Sequence, residues 1–282
     1  TGEGVMRVSG VAITVLADNR SACGLESEPG LSCWVQTANR TLLFDTGQGE
    51  AMPRNAMALG IDIGRADAII LSHGHYDHTG NLSVALERAG RAELLLHADA
   101  LRTRYSIHAS PKPIGMPPAA REAIRAAGDA RRRWVTQPVE LDVGVWLTGP
   151  VPRETSFENT GGPFYWDADG LEPDPILDDL SLCVRTNAGW VVCLGCCHAG
   201  VVNTLQHILR ELGGTKILAV IGGMHLRHAD SERLERTAAA LEEYDIPYLY
   251  PCHCTGEAAT AFWQERFPKA VQPVFAGLKI SF

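Results

Sequence analysis

The stretch His73-Gly74-His75-Tyr76-Asp77-His78 decides how the rest of this sequence is interpreted. It places three imidazoles and one carboxylate within six positions, directly after the apolar run Ala68-Ile69-Ile70-Leu71. Neutral imidazole nitrogens and carboxylate oxygens are ligands that zinc and other borderline first-row metals accept. All four donors on one ion would leave a catalytic metal without an open position. We therefore expect His73 and His75 on one ion, and Asp77 and His78 on a second.

This motif resembles the signature of the metallo-β-lactamase superfamily, and the resemblance extends along nearly the whole chain. Leu43-Phe44-Asp45-Thr46-Gly47 resembles the Asp-bearing strand end that precedes the motif there. Within the superfamily the chain is similar to a metal-dependent hydrolase subgroup often labelled dihydropterin (methanopterin-pathway) synthase-like. The other shared stretches are residues 16–19, 30–32, 71–80, 195–200, 222–226 and 251–256. The resemblance implies an α/β fold, an αββα sandwich of two mixed sheets flanked by helices.

Composition is consistent with one compact enzyme domain over residues 1–282, because no Ser/Gly- or Pro-rich linker separates two halves. We expect the family-like chain to start at Met6 and residues 1–5 to be additions from cloning. The net charge of -8 argues against a nucleic-acid partner. No apolar run reaches 18 residues, and no basic-then-apolar start is seen. With eight cysteines but no secretory signal, we expect a cytoplasmic protein with reduced thiols and no membrane association.

Apolar alternation and helical spacing predict strands that alternate with helices, in two halves. The predicted strands are residues 8–16, 32–37, 41–44, 68–71, 93–96, 182–186, 190–194, 216–221 and 248–250. The predicted helices are residues 50–59, 79–89, 201–212 and 231–244. On their own, these patterns indicate only the α/β class.

Two segments show neither the strand nor the helix periodicity. They are residues 105–137, with four prolines, and residues 161–179, with three. Unstructured segments of this length inside a compact domain are commonly lids or binding loops. As lids they would place Phe164, Tyr165 and Trp166 as apolar walls, and Arg131, Arg132 and Arg133 as a rim that attracts anions. The alternatives are surface excursions without ligand contact, and a solvated helix face for the arginines.

A dinuclear site needs more donors than the motif supplies, so histidines downstream are expected to complete it. His198 and His253 each follow a predicted strand, and His253 matches the last histidine of the superfamily pattern. We expect His198 on the first ion and His253 on the second. His225 also lies at a strand end and is expected to act on the substrate or in proton transfer.

The chain departs from the superfamily where many members supply a bridging Asp in a Gly-Asp pair. Here the corresponding stretch reads Gly195-Cys196-Cys197-His198. Three alternatives remain open: Cys196 or Cys197 lends a thiolate, His198 takes over, or a water alone bridges the ions.

These residues predict a metallo-hydrolase that uses a metal-bound hydroxide on a small, anionic ester, thioester, lactone, amide or phosphoester. Asp77 would orient the nucleophile, and Asp45 would brace the ligand loop from behind. Two zinc ions are the expected cofactor, with manganese or iron as alternatives. Two rival functions use the same residues: an iron-dependent oxidoreductase of this fold, and a signal-binding protein that retains the metal site.

Overall fold

The computed structural model of the protein describes residues 10–282. The expectation for residues 1–5 and the first residues of the predicted strand 8–16 lie outside the described residues. The strands, in chain order, are β1 (Val11–Ala17), β2 (Ser32–Thr37), β3 (Thr41–Phe44), β4 (Ala68–Ile70), β5 (Glu93–Leu96), β6 (Tyr105–Ile107), β7 (Pro111–Pro113), β8 (Arg132–Trp134), β9 (Val139–Asp142), β10 (Val145–Leu147), β11 (Phe164–Tyr165), β12 (Ser181–Thr186), β13 (Gly189–Leu194), β14 (Ile217–Gly222), β15 (Tyr248–Pro251) and β16 (Lys279–Ser281). The helices are α1 (Ala51–Ala58), α2 (Tyr76–Thr79), α3 (Leu82–Arg88), α4 (Pro118–Ala127), α5 (Val201–Glu211), α6 (Ser231–Tyr244) and α7 (Glu257–Arg266).

Two mixed sheets carry the fold. The first has the order β16-β1-β2-β3-β4-β5-β8, and the second has the order β15-β14-β13-β12-β10-β9. A small third sheet, β11-β6-β7, joins the two segments that were expected to be lids. Within the first sheet β3, β4, β5 and β8 are parallel, and within the second β13, β14 and β15 are parallel.

Three apolar layers hold the sheets and helices together. The central layer lies between the sheets and combines residues such as Phe44 and Ile70 from the first with Val184 and Ile221 from the second. A second layer packs the outer face of the first sheet against α1, α3 and α4. A third packs the outer face of the second sheet against α5, α6 and α7. The order helix, sheet, sheet, helix is the αββα sandwich that the resemblance implied.

Each strand and helix predicted from periodicity is present, with shifts of a few residues at its ends. The predicted helix 79–89 is divided into α2 and α3. The description of residues 105–137 as a long unstructured segment was wrong, since it contains β6, β7, α4 and β8. Its prolines interrupt the pattern without preventing structure: Pro118 occupies the first turn of α4, where no backbone N–H is needed. Among residues 10–282 no helix is long and apolar enough to cross a membrane.

Candidate metal centre

The candidate ligands lie where strands of both sheets end on one edge of the sandwich. β4 ends three residues before His73, β13 four residues before His198, and β15 two residues before His253. The carboxyl ends of parallel strands meet at one edge of a sheet, which is where open α/β folds place their sites. Packing one sheet on the other therefore brings together histidines that are 180 residues apart in the sequence.

The first ligand cluster consists of His73, His75 and His198, whose ligand atoms lie within 4.8 Å of one another. All three side chains are buried. His73 Nε2 and His75 Nδ1 are 2.9 Å apart, and the Nε2 atoms of His75 and His198 have no hydrogen-bond partner. Burial lowers the pKa of each of the three well below its ordinary value. The rings are therefore neutral at pH 7, which is the form that binds metals.

The second ligand cluster consists of Asp77, His78 and His253, again with ligand atoms within 4.8 Å of one another. His253 Nε2 lies 3.3 Å from Asp77 Oδ2 and 3.2 Å from His78 Nε2. Burial alone would raise the pKa of Asp77, but His78 and His253 hold it below its ordinary value. Burial would likewise lower the pKa of His78, yet the carboxylates of Asp45 and Asp77 raise it to about 9. A cation is thus favoured between these side chains.

Asp45 fixes the orientation of one histidine from each cluster. Its carboxylate is fully buried and accepts hydrogen bonds from the Ser72 backbone N–H (2.7 Å), the Ser72 hydroxyl (2.6 Å) and His78 Nδ1 (2.6 Å). Since the Ser72 hydroxyl donates to Asp45, its oxygen accepts from His73 Nδ1 at 2.9 Å. Both rings then carry their proton on Nδ1 and direct the Nε2 lone pair at the site. Such outer partners set the tautomer of metal-ligating histidines.

His198 and His253 are held in the same way by partners from other parts of the chain. His198 Nδ1 donates to the Thr160 carbonyl oxygen at 2.7 Å, and His253 Nδ1 donates to Asn19 Oδ1 at 3.0 Å. The Nε2 atoms of His73, His78, His198 and His253 therefore point into one buried volume. Lone pairs at hydrogen-bond distance from one another repel unless a cation or proton lies between them. The donor set fits two metal ions, with His73, His75 and His198 able to hold one, and Asp77, His78 and His253 the other.

The backbone of the ligand loops is locally strained and tightly packed. Asp45, Cys197, His225 and His253 have φ between 45° and 59°, a left-handed conformation that side chains other than glycine rarely adopt. Gly74 lies between two ligands, where a Cβ atom would come within 2.3 Å of the Ala100 carbonyl oxygen. Strain and close packing of this kind concentrate at functional sites.

Asp178 ties the ligand loop to a buried cation. Its Oδ2 accepts from the Gly74 backbone N–H at 2.7 Å, and its Oδ1 accepts from Arg104 at 2.9 Å. Asp174 lies 3.2 Å from Arg104 Nε on the same side. Because Arg104, Asp174 and Asp178 are all buried, this ion-pair cluster holds the segment 174–178 against the ligand loop.

The two cysteines at the position of the missing Asp point in different directions. Cys196 Sγ lies 3.1 Å from His78 Nε2 and within 4.8 Å of the ligand atoms of both His73 and His78. Cys197 Sγ instead lies 3.4 Å from the Thr204 hydroxyl and packs in the helical layer of the second sheet. Of the alternatives left open by the sequence, this geometry favours a thiolate from Cys196 and places Cys197 away from the site.

A cavity of about 1030 Å³ opens onto both clusters. His75, Asp77, Cys196 and His253 line its floor, and His225 lies beside them. The His225 ring is 4.3 Å from the His198 ring between centroids, and burial lowers the pKa of His225. Phe164 covers the first cluster, with its ring 5.4 Å from that of His75 and 5.3 Å from that of His198.

Of the aromatic run expected to wall the pocket, only Phe164 lines this cavity. Tyr165 pairs through its backbone with Tyr105 in the small third sheet. Trp166 is stacked under Arg102, whose guanidinium carbon is 3.6 Å from the ring centroid. The assignment of Tyr165 and Trp166 to the pocket wall is therefore corrected. Side chains alternate along β11, so Tyr165 points away from the face that Phe164 presents to the cavity, and Trp166 is held against Arg102.

The arginine run does not form a rim around the cavity either. Arg131 donates to the carbonyl oxygens of Ala89 (2.8 Å) and Ala92 (3.1 Å), beyond the end of α3. Arg132 pairs with Asp129, and Arg133 NH1 lies 4.0 Å from a Glu93 carboxylate oxygen. Carbonyl oxygens and the partial negative charge at a helix end attract such cations. These arginines stabilise the edge of the first sheet, and none of them lines the cavity.

Several residues of the centre were not anticipated from sequence. Asn19, Thr160 and Asp178 orient ligands or the ligand loop, and Cys254 places a thiol beside Cys196 and His253. Asn19 stands in one of the stretches shared with the subgroup, and Cys254 follows a predicted ligand. No comparable signal marks Thr160, which contributes only a backbone carbonyl.

Comparison with known proteins agrees with this architecture. The family model described as "Metallo-beta-lactamase superfamily" matches residues 27–253. A curated relative from Methanocaldococcus jannaschii, 7,8-dihydropterin-6-methyl-4-(beta-D-ribofuranosyl)-aminobenzene-5'-phosphate synthase, is 28% identical over 98% of both chains.

Solved structures of other proteins are similar to this one over nearly the whole chain. Tm1679, described as a metal-dependent hydrolase of the beta-lactamase superfamily, has a TM-score of 0.81 and 30% identity, over 96% of this chain and 98% of its own. Zn(2+)-bound PqqB from Methylobacterium extorquens has a TM-score of 0.58 at 13% identity, over 95% and 99%, which reflects the shared fold alone. With a family model covering most of its length and a full-length structural relative at 30% identity, the chain belongs to the metallo-beta-lactamase superfamily.

Proposed function

We propose that the protein is a metal-dependent hydrolase that acts on a small anionic molecule at a dinuclear centre. The single observation that carries this proposal is the convergence of four histidine Nε2 lone pairs beneath the cavity. Partners behind the rings hold each Nδ1, so the rings are oriented towards the site before any metal arrives. Preorganised donors of this kind suit catalysis, because no reorganisation is needed when the substrate binds.

A substrate bound in the cavity would contact both clusters at once. Its floor contains His75 from the first cluster, and Asp77 and His253 from the second. Ions bound there would act as Lewis acids and lower the pKa of a coordinated water. A scissile bond above the floor would lie near Asp77 and His225, which both line the cavity.

Asp77 and His225 have different proposed roles. The Asp77 carboxylate stays ionised beside His78 and His253, so it can accept a hydrogen bond from a water and orient that water for attack. His225 lines the cavity and is neutral, so it can accept a proton from the attacking water and then give that proton to the leaving group. Phe164 closes the space above the first cluster and limits access of bulk water.

The outer part of the cavity carries cations that suit an anionic substrate. Lys112, Arg227 and Arg236 line it, although Arg236 NH1 is paired with Glu232 at 3.3 Å. The name of the Methanocaldococcus relative describes a product with a 5'-phosphate, which is consistent with this charge. A substrate with an ester, thioester, lactone, amide or phosphoester bond and a separate negative group fits these features.

A second candidate function is group transfer, since that relative is named a synthase over the full length of both chains. The same centre would then activate an acceptor other than water. Running the reaction in ¹⁸O-labelled water separates the two candidate functions, because only hydrolysis places the label in the product. Iron found on metal analysis, with redox turnover, would instead support an oxidoreductase.

The proposal is tested with zinc-loaded protein and a panel of aryl esters, thioesters, lactones and phosphodiesters. We expect turnover of at least one class, label incorporation from water, and loss of turnover on chelation. The His73→Ala variant should lose a metal ion and activity together, whereas His207→Ala, on α5 with its Nε2 2.9 Å from the Thr148 carbonyl oxygen, should keep both metal ions. If the protein with both metal ions bound hydrolyses no substrate of the panel, the hydrolase proposal is contradicted.

A further inference from the structure

Two thiols lie at the junction between the ligand clusters. The ligand atoms of Cys196 and Cys254 lie within 4.8 Å of each other and of the His253 ligand atom. Cys254 Sγ is also 3.6 Å from the Cys196 carbonyl oxygen and 3.3 Å from the His225 backbone nitrogen. Cys196 follows β13, and Cys254 follows β15. Two separate strand ends therefore deliver sulfur to one point of the cavity floor.

From this placement we infer that Cys196 and Cys254 are thiolate ligands: Cys196 lies between the two ions, and Cys254 belongs to the second ion beside His253. The inference rests on the proposed dinuclear centre and specifies its donor set. Cys196 is placed between the ions because its Sγ is grouped both with His73 from the first cluster and with His78 and His253 from the second.

Two nearby carboxylates, Asp45 and Asp18, are committed to other partners, which favours sulfur at the bridging position. The oxygens of Asp45 are occupied by Ser72 and His78. Asp18 accepts from the backbone nitrogens of Arg20 and His253. Asp179 accepts from the Ala199 backbone nitrogen through Oδ2, and its Oδ1 has no hydrogen-bond partner.

Charge balance also favours thiolates. The first cluster consists of three neutral imidazoles, and the second has one carboxylate, Asp77. Two divalent ions in so buried a site would be poorly compensated by one negative charge, and uncompensated buried charge is costly. Deprotonated Cys196 and Cys254 would supply the missing negative charge, since a thiol that binds a metal is deprotonated outright.

A glycine on a neighbouring strand end makes room for the second thiol. A Cβ atom on Gly223 would come within 2.5 Å of Cys254 Sγ and 3.3 Å of the His253 ring. Any larger residue there would displace the sulfur from the cluster. The space around the Cys254 thiol is thus provided by β14, between the strands that carry the two cysteines.

A donor set with two thiolates selects among metals. Thiolates favour zinc, whereas carboxylate, carbonyl and water oxygens favour manganese. We therefore expect zinc at both positions and no tight manganese at the second, although manganese was among the metals that the sequence alone allowed.

Zinc K-edge X-ray absorption of the full chain loaded with two equivalents of zinc tests the inference directly. The expected spectrum contains a sulfur shell near 2.3 Å with about 1.5 sulfur atoms per zinc, because a bridging thiolate is counted by both ions. Cys254→Ser should reduce that number to about 1, and Cys196→Ser should reduce it to about 0.5. Cys197→Ser is the matched control and should leave the sulfur shell unchanged, since its Sγ contacts Thr204 instead.

The wild-type spectrum alone can overturn the inference, even if a variant fails to fold. A shell of nitrogen and oxygen only, in protein that holds two zinc ions, would refute thiolate ligation. Equal sulfur losses in Cys196→Ser and Cys254→Ser would refute the bridging position. Either result can occur with hydrolysis intact, and a sulfur shell in a protein inert towards every probe would refute only the hydrolase proposal.

Discussion

Asp45 offers a sharp test of how the centre is preorganised, through the substitution Asp45→Asn. The side-chain shape is kept, but one carboxylate oxygen becomes an amide nitrogen that donates. Oδ1 accepts from the Ser72 backbone N–H, and Oδ2 accepts from the Ser72 hydroxyl and His78 Nδ1. In either rotamer the new amide therefore faces at least one donor, so a buried hydrogen bond is lost.

The size of the effect follows from that lost bond. A hydrogen bond to a charged group contributes about 1.5–3 kcal/mol, so the free energy of unfolding of metal-free Asp45→Asn should fall by about that amount. Loss of a partner behind a ligating histidine typically weakens metal binding 10- to 100-fold, and we expect about that increase in the zinc dissociation constant of the second site. The affected ligand is His78, whose Nδ1 proton is held by Asp45.

The assays are zinc competition against a chromogenic chelator and urea unfolding of the metal-free chain. Asp67→Asn is the matched control, because Asp67 is exposed and its Oδ2 accepts only the Thr41 backbone N–H at 2.7 Å. Its zinc affinity should equal that of the wild type. If Asp45→Asn binds both ions with unchanged affinity, Asp45 does not position His78, and our account of the preorganised site is wrong.

Three further predictions concern the roles of other residues. Asp77→Ala should abolish hydrolysis and weaken binding of the second metal ion. His225→Ala should lower kcat and leave the metal content unchanged, as measured by elemental analysis. Loss of a metal ion in His225→Ala would show that His225 is a ligand. Lys112→Gln with Arg227→Gln should raise KM for an anionic substrate about 3- to 10-fold and leave a neutral ester unaffected. Burial raises the pKa of Asp179 from 3.8 to about 7, so the native metal-free chain holds a proton that the unfolded chain releases. Its free energy of unfolding should contain a component that falls from about pH 4 to pH 7 and is absent in Asp179→Asn, measured by urea unfolding at several pH values.

These experiments have matched controls in the same chain. Arg133→Gln removes a cation that lies near Glu93, outside the cavity, and should not change KM for either substrate. Equal effects of the Lys112 and Arg227 substitutions on charged and neutral substrates would contradict electrostatic recognition. For Asp179, the Oδ1 atom without a hydrogen-bond partner is where a proton would reside, so a pH profile identical to the wild type in Asp179→Asn would contradict the assignment.

Much of the fold could be predicted because its main signals are local. Alternation within β1 to β5 and β12 to β15 reports which residues face the central layer, and helical spacing within α5 and α6 reports the outer layer. The same locality explains the success in finding strand ends, and hence in grouping His198 with His73 and His253 with His78. Ligation by these residues itself stays a prediction.

The incorrect predictions concern residues whose contacts are with parts of the chain far away in the sequence. Arg131 binds carbonyl oxygens at the end of α3, some 40 residues earlier, and no local pattern in a charge run reveals its acceptor. Cys254 reaches the second cluster because Gly223 on another strand leaves space for it. Residues 105–137 were mistaken for unstructured chain because β6, β7 and β8 are three residues each, too short for periodicity to register.

The central claim is that hydrolysis depends on two metal ions held by the paired clusters. It is tested most directly by titrating zinc into metal-stripped protein while recording bound metal and turnover of a substrate from the panel. We predict no turnover in the metal-free chain, a rise that ends at two equivalents, and a loss of the second equivalent in His253→Ala. Full turnover without metal, or turnover that stops rising once one equivalent of zinc is bound, would contradict the claim.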